Sequence, residues 1–191
     1  MSGDGAGASA HAEGALLLAL ARAAIKERFG GPLVERPRGD HWLDERRAVF
    51  VTLKHDGALR GCVGQLEARF PLWEAVREAA LAAAFHDRRF FPVREDELRQ
   101  VRIELSLLCA MEPLEIVDRA DLLSRLRPGV DGLVLTAGPR SALFIPAMWK
   151  QLPEPREFLA QLQRKAGLGS TGWAPETKVQ RFTAEHWEEP P

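Results

Sequence analysis

Tyrosine is absent from this chain, cysteine occurs twice and histidine five times in 191 residues. Two cysteines do not make a disulfide scaffold, so a reducing, cytoplasmic compartment is the default expectation. The histidines are scattered, so a histidine-based metal cluster would have to be assembled entirely by the fold; the sequence itself implies no metal and no cofactor. It holds no glycine-rich phosphate loop, no paired-cysteine metal spacing and no H-E-x-x-H, and no G-x-S-x-G elbow. Charge of one sign is not in excess either. The net of −1 argues against a broad basic face, and so against nucleic acid as a partner. No apolar run reaches the length of a membrane span. Residues 1–11 lack the basic start and apolar core of a signal peptide and read as a flexible tail.

What is present is ordinary for a globular protein: 46% hydrophobic and 28% charged residues, enough to bury a sizeable core. Periodicity predicts a helix over residues 12–28, with Leu16, Leu20, Ala23 and Ala24 inward, Arg22 outward, and Gly30-Gly31-Pro32 as its stop. A second helix is expected over 71–85, with Pro71 at its first position and an inward stripe of Trp73, Val76 and alanines. Residues 101–109 alternate: Val101, Ile103, Leu105, Leu107 and Cys109 point inward, Arg102, Glu104 and Ser106 to the other face. Asp118 is placed to cap a short helix, and residues 132–145 read as a hairpin. Residues 155–166 read as a helix ended by Gly167, and 179–182 as a final strand. The acidic, proline-ended residues 188–191 are expected to fray.

The unusual residues concentrate in residues 50–64, FVTLKHDGALRGCVG. Asp56-Gly57 between two alternating runs is a strong hairpin signal. A three-residue loop with Gly57 as its left-handed residue groups Val51, Leu53, Leu59, Gly61 and Val63 on one buried face, which is the grouping that fixes pairing. Phe50, Thr52, Arg60 and Cys62 then share the other face. Arg60 and Cys62 sit two apart, about 6.5 Å along the strand, and a guanidinium there favours thiolate over thiol. Gly61 and Gly64 mark a bulge or a close approach by a ligand or another backbone. If residues 101–109 lie beside this hairpin, Glu104 and Ser106 join the face of Cys62. Asp87 and Arg89 are placed to pair with each other or with a strand end, and His86 is a candidate proton acceptor. The alternative at each position is structural: a small buried cysteine, an arginine paired elsewhere, a surface histidine.

These residues carry a family resemblance. Residues 59–64 (LRGCVG), 87–92 (DRRFFP), Glu97-Leu98 leading into 103–108 (IELSLL) and 129–133 (GVDGL) are its first segments. Ile145-Pro146, 149–155 (WKQLPEP), Phe158-Leu159 and 165–168 (KAGL) continue it. The chain resembles the AMMECR-type domain, and most nearly protein A of the AmmeMemoRadiSam system. The resemblance implies an α+β fold, a mainly antiparallel sheet with flanking helices and a smaller second lobe, over a single domain spanning 12–187. It also implies company with a Memo-like protein and a radical SAM protein, but no settled reaction.

Two readings stay open. In one, Cys62 is a nucleophile or covalent carrier acting on a small molecule, activated by Arg60, with Glu104 or His86 moving the proton. In the other, the domain is a noncatalytic binding module whose groove takes a metabolite, a peptide or a partner protein. Arg60 then supplies an anion contact, and Gly61, Gly64, Asp87, Arg89 and Ser106 line the site. The sequence favours the second, because it shows only one convincing member of a catalytic set.

Overall fold

The computed structural model describes the backbone of residues 4–169, 173 and 176–190, with side chains from residue 11 onward. In chain order its elements are α1 (Asp4–Glu27), β1 (Val49–His55), β2 (Ala58–Gly64), α2 (Leu72–Phe85), β3 (Val101–Leu108), β4 (Glu112–Pro113) and α3 (Arg119–Arg125). They continue with β5 (Gly132–Ala137), β6 (Arg140–Phe144), α4 (Pro155–Lys165), β7 (Lys178–Phe182) and β8 (Ala184–Glu188). The fold is α+β. Two compact units divide it: Met1–Leu108 with Glu185–Pro191, and Cys109–Ala184. Among the described residues, no helix is long and apolar enough to cross a membrane.

The first unit builds a sheet in the order β2-β1-β3-β8, with the β1–β2 and β1–β3 pairs antiparallel. Its inner face carries Val51, Leu53, Ile103 and Leu105, all fully buried against Leu17, Ala21, Ala24 and Ile25 of α1 and Val76, Ala80 and Ala83 of α2. The alanines of α2 let that helix lie close to the sheet. A Cβ on Gly61 would collide with the carbonyl oxygen of Ala83, so the glycine is required by backbone approach and not by a ligand. Gly64 is likewise crowded, by the Phe50 ring and the Val49 carbonyl.

The hairpin reaches the expected grouping by a different route. Asp56 and Gly57 both adopt positive φ, 49° and 77°, which makes a two-residue turn whose twist suits the strands. His55 pairs with Ala58 and Lys54 with Leu59; then Leu53 pairs with Gly61, Thr52 with Cys62 and Val51 with Val63. Arg60 is therefore an extra residue, a bulge in β2. The bulge, not a three-residue loop, restores Gly61 and Val63 to the inner face. Leu59 lies before it and does not join them; it pairs with Lys54 and is 41% exposed.

Several other expectations are corrected. Helix α1 begins at Asp4, so only residues 1–3 of the expected tail remain, and these lie outside the described residues. Its buried stripe centres on Leu17, Ala21, Ala24 and Ile25. Pro71 is the N-cap of α2, not its first helical residue. Arg22 does not face away into water. It donates to the carbonyls of Leu98 (2.9 Å) and Val101 (2.6 Å) and is ion-paired with Glu189. Residues 188–190 accordingly do not fray: β8 is a sheet strand, Glu189 N–H donates to the Ile103 carbonyl at 3.0 Å, and the Glu189 carboxylate accepts from Ile103 N–H at 2.9 Å. Pro191 lies outside the described residues. Cys109 follows β3 and is half-buried, not a core residue.

The second unit has a sheet in the order β4-β7-β5-β6 over a core of Leu133, Leu135, Phe158, Leu159 and Leu162. Trp149 stacks on Phe158 (3.9 Å between centroids, 6° between planes). Its indole N–H donates to the carbonyl of Asp131 at 2.7 Å. Asp118 caps α3, as its position in the sequence predicts, by accepting from Asp121 N–H at 2.8 Å.

The contact between β2 and α2 has a direct test. Gly61→Ala should cost about 1–3 kcal/mol through overpacking, read as a lower urea midpoint at unchanged slope. Stability equal to wild type would show that α2 does not rest on the strand as described.

Candidate functional site

Strand β2 is an edge of its sheet, and at Cys62 that edge is closed by side chains. The Cys62 N–H donates to Asp87 Oδ2 at 2.9 Å, and the Cys62 carbonyl accepts from Arg89 Nη2 at 3.1 Å. Asp87 and Arg89 are joined at 2.7 Å, and Arg89 N–H also donates to Asp87 Oδ1 at 3.1 Å. The pair thus stands where a neighbouring strand would donate and accept, which is how exposed sheet edges are blunted. The Asp87 side chain is only 7% exposed. Its hydrogen bond to Arg89 holds it well below the usual carboxylate range, against burial, with the N–H groups of Cys62 and Arg89 adding to the effect. Arg89 is raised in turn, first by Asp87 and in part by Cys62.

The thiol lies on the sheet's outer face, where Thr52 Oγ1 donates to Cys62 Sγ at 3.3 Å. Thr52 is in register with Cys62 on one side and Glu104 on the other, and Phe50 is in register with Ser106. The adjacency needed to bring Glu104 and Ser106 to the face of Cys62 is therefore present. Their polar contacts go elsewhere. Glu104 is ion-paired with Lys54, and Ser106 Oγ lies 3.2 Å from His186 Nδ1.

Arg60, the expected partner of the thiol, is turned to another task. Its guanidinium is paired with Glu97 at 2.6 Å and donates to the Pro92 carbonyl at 3.3 Å. Glu97 also accepts from Arg94 N–H at 2.9 Å. Burial alone would raise the Glu97 pKa; the hydrogen bonds from Arg60 and Arg94, with the charge of Arg60, overturn that and lower it. Arg60 thus ties the segment after Pro92 to the hairpin, and the guanidinium beside the sulfur belongs to Arg89. His86 caps the C-terminus of α2 and is exposed. Among the described residues, neither His86 nor Glu104 is hydrogen-bonded to Cys62. The sequence signal for Arg89 was its place in the DRRFFP segment, two residues beyond Asp87 and ready to pair with it.

A cleft of about 870 Å³ lies elsewhere on the same unit, lined in part by Lys54, Asp56, Arg99, Arg102, Glu104 and Glu188. Arg60 and Cys62 do not line it, so the expected groove around LRGCVG is not this cleft. Two of its lining carboxylates, Glu104 and Glu188, belong with His186 to a group of three donors that the sequence does not join. The ligand atoms of Glu104, His186 and Glu188 lie within 4.8 Å of one another. They were missed because residues 184–188 had not been read as a strand.

Comparison with known proteins completes the picture. The family model described as AMMECR1 matches residues 18–187. A protein of Methanothermobacter thermautotrophicus is 41% identical over 181 residues, covering 93% of this chain and 94% of that one. A protein of Thermococcus gammatolerans is 40% identical over 191 residues, covering 92% and 90%. The crystal structure of the uncharacterised protein PH0010 from Pyrococcus horikoshii superposes with a TM-score of 0.84 at 36% identity, covering 91% of this chain and 90% of that one. Match length, identity and superposition agree, and the chain belongs to the AMMECR1 family.

Proposed function

We propose that this chain is a noncatalytic binding module of the cytoplasm that works with a Memo-like protein and a radical SAM protein. Its docking surface is the braced edge of β2 with the segment that braces it. The observation that carries this reading is the state of the Cys62 sulfur. Its polar neighbours are a hydroxyl and an arginine already matched by Asp87, and no proton acceptor is bonded to it among the described residues. A nucleophilic thiol needs either such an acceptor within reach or an unmatched cation that lowers its pKa, and the charge of Arg89 is matched by Asp87. A recognition surface needs a fixed shape and an anchor, and both are at hand. Phe91, two residues past Arg89, is 89% exposed. An exposed aromatic in a hydrogen-bonded segment is of a residue class enriched at interfaces.

Phe91→Ala should weaken association with the Memo-like partner by about thirtyfold, the scale of a 2 kcal/mol anchor, measured by titration calorimetry. The urea midpoint should stay at its wild-type value. Unchanged affinity would remove Phe91 from the interface and this surface with it.

The enzyme reading keeps one specific support: the Thr52 hydroxyl and the Arg89 guanidinium both adjoin the sulfur, which suits a covalent carrier. The two readings separate by alkylation of the native protein. Labelling of Cys62 by iodoacetamide no faster than a free thiol is the outcome expected of the binding module. Rapid labelling confined to Cys62 would favour the carrier.

A further inference from the structure

The cleft-side cluster of Glu104, His186 and Glu188 has no part in the docking surface, and its chemistry is of another kind. His186 and Glu188 are two apart on β8, so both leave the same face of the sheet. Trp187 between them turns the other way and packs on the core, against Gly14. Strand β3 is the neighbour of β8 and sends Glu104 out on that same face, opposite to its inward Ile103 and Leu105. One imidazole and two carboxylates therefore converge from two adjacent strands, with their ligand atoms within 4.8 Å of one another.

We propose that Glu104, His186 and Glu188 form a binding site for a divalent first-row metal ion such as Zn²⁺, open to the cleft. The donor set of one nitrogen and two anionic oxygens suits Zn²⁺, Mn²⁺ or Fe²⁺. Ligand bonds of about 2.0–2.2 Å put tetrahedral donors roughly 3.5 Å apart, so groups whose ligand atoms lie within 4.8 Å of one another have to close by an ångström or so at most. The two on β8, His186 and Glu188, are exposed. Glu104 is the fixed member, 9% exposed. Ser106 Oγ lies 3.2 Å from His186 Nδ1, which orients the ring and leaves Nε2 as its other nitrogen. Support of this kind accompanies metal-bound histidines generally. Glu104 and Glu188 both line the cleft, which supplies an entry path and leaves room beside the ion for a position not filled by protein.

Lys54 gives the proposal a distinctive signature. Its ammonium is ion-paired with Glu104 and competes there with an incoming cation. Removing it should therefore strengthen metal binding, an effect that a purely structural Lys54–Glu104 pair does not produce.

The test is calorimetric titration of the full chain with Zn²⁺ after treatment with a chelator. Wild type should take up one equivalent. His186→Ala and Glu188→Gln should each weaken binding at least tenfold, and Lys54→Met should tighten it severalfold. Glu188 is exposed, so its variant leaves the fold intact and stays informative if a change at Glu104 does not. Co²⁺ in place of Zn²⁺ should give a visible spectrum without a thiolate charge-transfer band, which separates this site from adventitious capture by Cys62 or Cys109. Failure of wild type to bind, a thiolate band, or binding indifferent to both His186→Ala and Glu188→Gln would overturn the assignment. The docking surface around Phe91 does not depend on this result.

Discussion

Side chains alternate along a strand, so one inserted residue reverses the facing of everything beyond it; in β2 that residue is Arg60. Continued without the insertion, the Asp56-Gly57 turn would set Cys62 opposite Val51 and Arg60 opposite Leu53, inside a core where both partners are fully buried. The bulge prevents this. It sends Gly61 inward, where only a glycine tolerates the approach of the Ala83 carbonyl, and it brings Cys62 outward. The side chain of the bulged residue is used as well, since Arg60 holds Glu97 and the Pro92 carbonyl. The LRGCVG segment is thus first a device for bending and facing a strand.

The second constraint is the edge. An outermost strand presents unpaired N–H and C=O groups that invite another chain. At Cys62 both are occupied by the Asp87–Arg89 pair. The DRRFFP segment is therefore tied to LRGCVG at its Asp and Arg, while its Phe91 is left in water. Rigid support beneath an exposed ring is the arrangement that keeps the ordering cost of association low. The same pairing matches the charge of Arg89 with that of Asp87, so the sulfur meets a neutral pair, not a lone cation.

Much of this architecture was legible. The alternation of Val101 to Leu107, the Asp118 cap, the second hairpin and the grouping of Val51 with Leu53 follow from residue type and period alone, because burial on one face decides them. Three features were not legible, each for a physical reason. The hairpin's loop length was misread because a two-residue turn plus a bulge and a three-residue loop produce the same facing of Gly61 and Cys62. Arg22 read as a solvent-facing helix residue because its partners, Glu189 and the carbonyls of Leu98 and Val101, are distant in sequence. The end of the chain read as frayed because its run of Glu188, Glu189 and Pro190 is a weak strand former. What holds it is tertiary: the Glu189 carboxylate on Arg22 and on Ile103 N–H. Of the candidate site residues, Cys62, Asp87 and Arg89 do come together, whereas Arg60 and His86 have other roles.

The cross-strand row Cys62–Thr52–Glu104 decides how the two ends of this face relate. Neighbouring strands are about 4.8 Å apart, so Cys62 and Glu104 are separated by roughly 10 Å of backbone with Thr52 between them. A glutamate that is already paired with Lys54 does not reach across that distance to take a proton from the thiol. Its carboxylate is directed instead to the cleft and to the residues of β8. The outer face is accordingly divided: one end is a braced edge with an exposed aromatic, the other a convergence of oxygen and nitrogen donors. Thr52, whose hydroxyl points to sulfur, marks the boundary. That division is why the glycine-flanked thiol, taken alone, is a poor guide to where this face gathers its nitrogen and oxygen donors.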